Sequence, residues 1–216
     1  MRRVILVTTA AAALAGCVAA TEIQPETDAT PAQVDRTAVN PIAIERVVMQ
    51  VPRGQQVGVV KGGLLCIPHV ALTIGGGQAA VTDAGYLDAI QHEFAVIDYP
   101  ITTSPTELFT SSAADATRIR LAGRIVDVRM NVCFPLSGFG DVSNGTADVY
   151  VRVEWQAFDS AKKVIILKTV TTGTGSVKST TPSPAVMAND LAIGMATRRF
   201  ISGPEFRDLA STRLAN

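Results

Sequence analysis

The sequence predicts an α+β domain: one antiparallel β-meander sheet with helices, two of them C-terminal, packed on one of its faces. Apolar and polar residues alternate from Ala147 to Ala157, which is typical of a strand with one dry and one wet face. Beyond Ser183 apolar residues recur at helical spacing instead. Strands followed by helices, rather than alternating with them, favour the α+β class.

Short strands are predicted in the first third of the domain. Residues 44–51 are mostly apolar and β-branched, and Pro52 ends the pattern. Two further apolar runs, 57–60 and 64–67, flank Gly62-Gly63. We interpret them as strand, turn and strand, or as irregular structure.

One helix interrupts the strands. Thr82 or Asp83 can cap a helix that runs to about Glu93. A short strand over 94–101 and a polar loop over 104–115 are expected to follow.

The strands of the meander are the clearest elements. Apolar residues alternate over 119–125, and the apolar phase then shifts by one residue over 126–132. Because such a shift needs an extra residue, it predicts a β-bulge near Gly123–Val126. A turn over 159–163 leads into a returning strand, 164–177.

Two helices are expected at the C-terminus. Ser183-Pro184 places Ser at the N-cap and Pro at the first helical position. Ser202 and Glu205 have the spacing of a capping box for the last helix. In the first helix two stripes share helical spacing: Met187, Leu191 and Met195, and the small residues Ala188, Ala192 and Ala196.

Composition excludes some classes of partner. A hydrophobic fraction of 47% and a charged fraction of 18% are typical of a globular protein. Lys and Arg balance Asp and Glu, so the formal net charge is zero, and no basic run occurs. Binding to nucleic acid or through a polybasic membrane patch is therefore not expected.

The N-terminus has the pattern of an export signal. Arg2 and Arg3 precede an apolar run, Val4 to Leu14, which is shorter than the ~20 residues that span a bilayer. It ends in Leu14-Ala15-Gly16-Cys17. This motif resembles the lipobox of bacterial lipoproteins, which implies cleavage before Cys17 and its modification by fatty acyl chains such as palmitate.

The resemblance also implies a location in the cell envelope. In that family Asp after the Cys favours retention in the inner membrane, and here the residue is Val18, so we expect anchoring to the outer membrane, facing the periplasm. The predicted organisation is a signal peptide (1–16), a lipidated N-terminus with a flexible tether (17–40) and a single periplasmic domain (41–216). The tether is rich in Ala, Thr and Pro and lacks periodicity.

The remaining thiols are Cys66 and Cys133. In an oxidising compartment an even pair favours a disulfide bond. The alternatives are two separately buried thiols, or a metal site that adds His69 and His92. Because zinc sites usually contain two short-spaced ligand pairs and only one is present, we expect no metal.

No motif of catalysis or of cofactor binding is recognised. His69 and His92 are the only histidines, and no known catalytic spacing surrounds them. Gly75-Gly76-Gly77 lacks the residues that complete a phosphate-binding loop. We therefore expect neither enzymatic activity nor a cofactor.

The loop from Phe134 to Asp141 is the best candidate contact site. Phe134, Leu136 and Phe139 lie there among glycines. They either fold back over the end of the sheet or form a small exposed patch for a partner.

The order of strands and C-terminal helices is broadly similar to small periplasmic α+β lipoproteins of accessory or assembly type. We therefore expect a non-catalytic module that binds an envelope protein or assembles with copies of itself. The alternatives are a carrier of a lipid or small apolar ligand, which needs an apolar cavity between sheet and helices, and an unrecognised envelope hydrolase.

Overall fold

A computed structural model describes residues 22–24, 26–27, 29–30, 33, 35, 39–75, 83–103 and 117–211. The predicted signal segment, Cys17 and the predicted loop 104–115 lie outside these residues. In chain order the elements are β1 (Ile42–Met49), β2 (Gln56–Gly62), β3 (Ile67–Thr73), α1 (Asp83–Val96), β4 (Ile101–Thr103), β5 (Ile119–Phe134), a 3₁₀ turn (Ser137–Phe139), β6 (Asn144–Asp159), β7 (Val164–Pro182), α2 (Pro184–Ser202) and α3 (Pro204–Ser211).

The described strands form one seven-stranded sheet with β5 at its centre. On one side β5, β6 and β7 are antiparallel, as predicted. On the other side β1 pairs with the first half of β5 and β2 pairs with its second half, both in parallel. Strand β3 is antiparallel to β2, and β4 is parallel to β1.

The prediction of a purely antiparallel meander is therefore wrong, and the sheet is mixed. Short connections without a crossover give antiparallel pairing of β5, β6 and β7, whereas the long connection that contains α1 lets the chain return in the same direction. The strand predicted over 94–101 is also wrong, because Phe94 still belongs to α1 and β4 begins only at Ile101.

The bulge in β5 is confirmed. The register of β5 against β6 shifts between Ile125 and Asp127, which leaves Val126 as the extra residue. Along β6 the buried and less buried residues alternate over the whole strand, as the period of two predicts.

The helices cover one face of the sheet. Of the two stripes on α2, Ala188, Ala192 and Ala196 are buried, whereas Met187 and Leu191 are largely exposed. The rings of Trp155 in β6 and Phe200 in α2 stack with their centroids 4.8 Å apart. The small stripe therefore faces the sheet and lets large aromatic side chains fill the space beside it.

The predicted capping box is absent. Ser202 is the last residue of α2, and its hydroxyl is buried without a hydrogen-bond partner among the described residues. Gly203 separates the two helices, and its carbonyl accepts a hydrogen bond from the Arg207 amide. Helix α3 then buries Phe206 and leaves Leu209 partly buried.

One acidic side chain of α1 is buried against α2. Glu93 of α1 is buried, and its Oε2 lies 2.9 Å from Nε of Arg198 in α2. This ion pair joins the two helices.

Candidate functional site

Two loops meet at one end of the sheet, where β2 turns into β3 and β5 leads to β6. Cys66 and Cys133 form a disulfide bond across them, with their Cα atoms 5.5 Å apart. The Gly63 amide donates a hydrogen bond to Ser137 Oγ at 2.9 Å. The predicted disulfide is thus present, and it excludes a metal site that would use these thiols.

The β5–β6 loop has an ordered backbone. Asp141 Oδ1 accepts hydrogen bonds from the amides of Ser143 and Asn144, and Asp141 Oδ2 accepts one from the Asn144 side chain. These bonds, led by that of the Asn144 side chain, lower the pKa of Asp141 far below its usual value. The charged carboxylate therefore holds the end of the loop, from Asp141 to Asn144.

Apolar side chains are exposed on both loops. Leu65 is 83% exposed and Phe139 is 81% exposed. We define the apolar patch as these two residues together with their exposed apolar neighbours Leu64, Ile67, Leu136 and Val142. Single exposed apolar residues are common, but several together on a fixed framework are typical of contact sites.

The structure separates the three residues predicted as a contact site. Leu136 and Phe139 are exposed, whereas Phe134 is half-buried and packs against the core. Phe134 also pairs in register with Gly62 of β2. Phe134 therefore folds back against the sheet, as the first interpretation expects, whereas Leu136 and Phe139 remain exposed and their proposed contact with a partner stays a prediction.

The sequence reasoning missed Leu64 and Leu65. Both were assigned to an apolar run that could form a strand, but they lie in the turn between β2 and β3. A signal was present, because the predicted bond between Cys66 and Cys133 already placed this run beside the loop that follows Cys133.

The histidines do not form a catalytic group. His69 is exposed on β3, with Nδ1 3.4 Å from the Ile67 carbonyl oxygen, and His92 is exposed on α1. Among the described residues no group of three or more His, Cys, Asp or Glu could hold a metal ion.

Open depressions are present on the surface of the described part of the chain. Three of these have volumes of about 360, 400 and 440 Å³. The first lies beside Arg129 and Tyr150, the second beside Arg124 and Glu154, and the third beside α3. The space between sheet and helices is filled instead by fully buried side chains such as Trp155 and Phe200.

The face of the sheet opposite the helices is charged. Arg124 donates a hydrogen bond to Glu154 at 2.6 Å, and Arg120 lies 2.7 Å from Glu45. The hydrogen bond from Arg124 lowers the pKa of Glu154. Each of these pairs brings side chains of opposite charge together on this face.

Part of the segment predicted as a tether lies against the domain. The backbone amide of Glu26 donates a hydrogen bond to Thr174 Oγ1 at 3.1 Å. The Glu26 carboxylate accepts hydrogen bonds from Thr172 and Arg199. Arg199 also donates to the Thr27 carbonyl at 2.8 Å. These contacts place Glu26 beside β7.

No family model matches the chain, and no curated protein matches it. Solved structures with a similar arrangement do exist. Protein XCC0632 from Xanthomonas campestris, described under family DUF330, is 11% identical, with a TM-score of 0.43 over 83% of this chain and 88% of that one. A PelC dodecamer from Paraburkholderia phytofirmans is 11% identical, with a TM-score of 0.39 over 80% of this chain and 95% of that one.

A third similar structure is a putative lipoprotein from Caulobacter crescentus, 10% identical, with a TM-score of 0.31 over 66% of this chain and 84% of that one. Likeness at this level says nothing of function. Within the described part of the chain, the helices are too short or too polar to cross a bilayer.

Proposed function

We propose that this chain is a lipid-anchored periplasmic protein of the outer membrane that binds an envelope protein through the apolar patch. The observation that carries the proposal is the exposure of Leu65 and Phe139 on two loops that the Cys66–Cys133 disulfide joins.

The patch has the physical properties of a binding site. Burying an apolar side chain of this size against a partner contributes roughly 1.5–3 kcal/mol. The disulfide and the Asp141 hydrogen bonds fix the loops beforehand, so that little ordering entropy is lost when a partner binds. Large apolar anchors on a rigid frame are typical of the residues that dominate binding energy.

The rival functions have less support. A carrier needs an enclosed apolar cavity, but side chains such as Trp155 and Phe200 fill the space between sheet and helices in the described part of the chain. A hydrolase needs a base beside a nucleophile, and both histidines are exposed on separate elements.

The proposed anchor would keep the domain near the membrane. If Glu26 stays bound to Arg199, eight residues separate it from Cys17. Fully extended, they span about 28 Å, so the anchor would hold Glu26, and β7 beside it, close to the bilayer.

Metabolic labelling with an alkyne fatty acid tests the anchor. The wild-type protein is expected to carry the label and to sediment with membranes, and the Cys17→Ser variant to carry none. Label on that variant, or an unlabelled soluble wild-type protein, would contradict the proposed anchor.

Affinity purification from cross-linked envelopes tests the patch. Leu65→Asp and Phe139→Asp are expected to lose a protein that the wild type recovers. Val170→Asp is the matched control, because Val170 is also exposed but lies on β7, away from the patch. Equal recovery by the patch variants and the wild type would contradict the proposal.

A further inference from the structure

One edge of β7 is bonded to side chains of α2 rather than to a further strand. Among the strands that the structure describes, β7 pairs with β6 alone. Along its other edge, Arg199 Nη1 donates a hydrogen bond to the Thr172 carbonyl at 3.1 Å. The Thr174 amide donates one to Met195 Sδ at 3.4 Å. These contacts hold the end of α2 beside the edge of β7.

The Arg199 guanidinium is oriented by β7 itself. Its Nη1 donates both to the carbonyl oxygen of Thr172 and, at 3.0 Å, to the Thr172 hydroxyl. A guanidinium presents its donors in a rigid fork that matches the geometry of a carboxylate. Because the strand already fixes this fork, a carboxylate can bind there with little further loss of side-chain freedom.

The carboxylate of Glu26 occupies this position. It accepts hydrogen bonds from Arg199 and from the Thr172 hydroxyl, which lies 3.0 Å and 3.2 Å from its two oxygens. The backbone is held as well, because the Glu26 amide donates to Thr174 Oγ1 and the Thr27 carbonyl accepts from Arg199. The side chains of Arg199 and Glu26 are 23% and 29% exposed, so salt screens this pair less than an open surface pair.

We propose that Glu26 and Thr27 form a strap, which clips the N-terminal segment to β7 and α2 and so fixes the point at which the domain hangs from its anchor. The contacts of the strap are independent of any lipid, whereas its effect at the membrane rests on the proposed lipidation of Cys17. The strap therefore adds a bound and a released state to the proposed anchor.

The two states differ in the length of free chain. With the strap bound, eight residues separate Cys17 from Glu26. With the strap released, 22 residues separate Cys17 from Asn40, whose amide is bonded to the Ala210 carbonyl. Flexible chains of these lengths have average spans of about 16 Å and about 26 Å. Binding of the strap thus shortens the tether and moves its attachment from the start of β1 to the edge of β7.

Hydrogen exchange of the full-length protein in mild detergent, measured by mass spectrometry, tests the strap. The peptide that contains Glu26 is expected to exchange more slowly in the wild type than in an unfolded chain. Glu26→Gln keeps the shape of the side chain and leaves Arg199 bonded to Thr172. It is expected to reduce the protection at least roughly tenfold, because a charge-assisted hydrogen bond is lost. Arg199→Gln is expected to have a similar effect.

Glu22→Gln is the matched control. Glu22 belongs to the same segment, and in the described part of the chain its carboxylate accepts a hydrogen bond from Gln24 instead of Arg199. It is expected to leave the protection unchanged. Peptides from β6 report unfolding of the domain separately from release of the strap. A wild-type Glu26 peptide that exchanges as fast as an unfolded chain, or equal protection in the wild type and Glu26→Gln, would overturn the strap.

Neutron reflectometry on a supported phospholipid bilayer tests the effect at the membrane. The domain of lipidated Glu26→Gln is expected to lie on average about 10 Å farther from the bilayer than that of the wild type or Glu22→Gln. Equal distances would overturn the role of the strap in setting the tether. Failure of the anchor is distinguishable, because Cys17 would then carry no lipid while the Glu26 peptide stays protected. Failure of the strap would leave Cys17 lipidated and that peptide unprotected.

Discussion

Gly173 of β7 lies against the backbone of α2 at a distance that leaves no room for a side chain. A Cβ atom there would be 2.1 Å from the carbonyl oxygen of Ala192. Two residues on, a Cβ atom at Gly175 would be 1.9 Å from the carbonyl oxygen of Ala188. The helix therefore contacts the sheet through backbone, and glycines on the strand and alanines on the helix make this possible.

Gly173→Ala is expected to destabilise the domain by about 3 kcal/mol, because α2 must move away from β7. Chemical denaturation measures the change in the free energy of unfolding. Gly138→Ala is the control, since a Cβ atom there meets nothing within 4 Å. Equal stability of the two variants would contradict the close contact.

Removal of the disulfide is expected to lower the free energy of unfolding by roughly 4 kcal/mol, because the bond closes a long loop in the unfolded chain. Unfolding of the Cys66→Ser/Cys133→Ser variant in denaturant tests this. A reductant should lower the free energy of unfolding of the wild type but not that of the variant. Hydrogen exchange at the Gly63 amide, which is bonded to Ser137, should also accelerate. Unchanged stability and exchange would show that the bond does not hold the two loops.

Asp159 is expected to make stability depend on acid pH. Arg118 donates hydrogen bonds to both carboxylate oxygens of Asp159, and the amides of Ala161 and Lys162 donate to its Oδ1. The hydrogen bond from Arg118 is the main cause of the lowered pKa of Asp159 in the folded state. The lowered pKa of the carboxyl group stabilises the folded state. This stabilisation is present above the unfolded pKa of about 3.9 and is lost as the pH falls through the lower folded value.

The Asp159→Asn variant should accordingly melt several degrees below the wild type at pH 7, and the difference should shrink below pH 4. Melting curves between pH 7 and pH 2 measure this. Asp88→Asn, which changes an exposed carboxylate on α1, is the control for general effects of charge. A constant difference across this range would contradict the role of the Asp159 charge.

The buried pair between α1 and α2 should be worth more than a surface pair. Glu93→Gln leaves Arg198 without the carboxylate that lies 2.9 Å away, and we expect a loss of about 2 kcal/mol, less than for a fully buried pair. A double-mutant cycle with Arg198→Met measures the coupling. A coupling energy near zero would mean that the pair contributes nothing to the packing of the helices.

Local patterns predicted the centre of the sheet. The alternation along β6 and the change of phase in β5 are properties of neighbouring residues, so they could be interpreted without knowledge of the fold. They identified both strands and the bulge at Val126. The disulfide followed from the number of thiols and the expected compartment.

Features that depend on distant residues could not be predicted in this way. The parallel pairing of β1 with β5 depends on where the chain returns after α1. Glycine disfavours strands locally, so a local pattern gives no reason for Gly173 and Gly175, which here admit the backbone of a helix. Leu64 and Leu65 of the apolar patch were missed because the run 64–67 was interpreted as a strand or as irregular structure, not as part of a contact site.

Site-specific photo-cross-linking tests the proposed docking patch most directly. Benzoylphenylalanine replaces Phe139 in cells that produce the protein natively, and in a control replaces Ile165, an exposed apolar residue of β7. The proposal predicts one discrete adduct with an envelope protein from position 139, none from position 165, and loss of the adduct when Leu65→Asp is added. Absence of an adduct at position 139, or the same adducts from both positions, would contradict it.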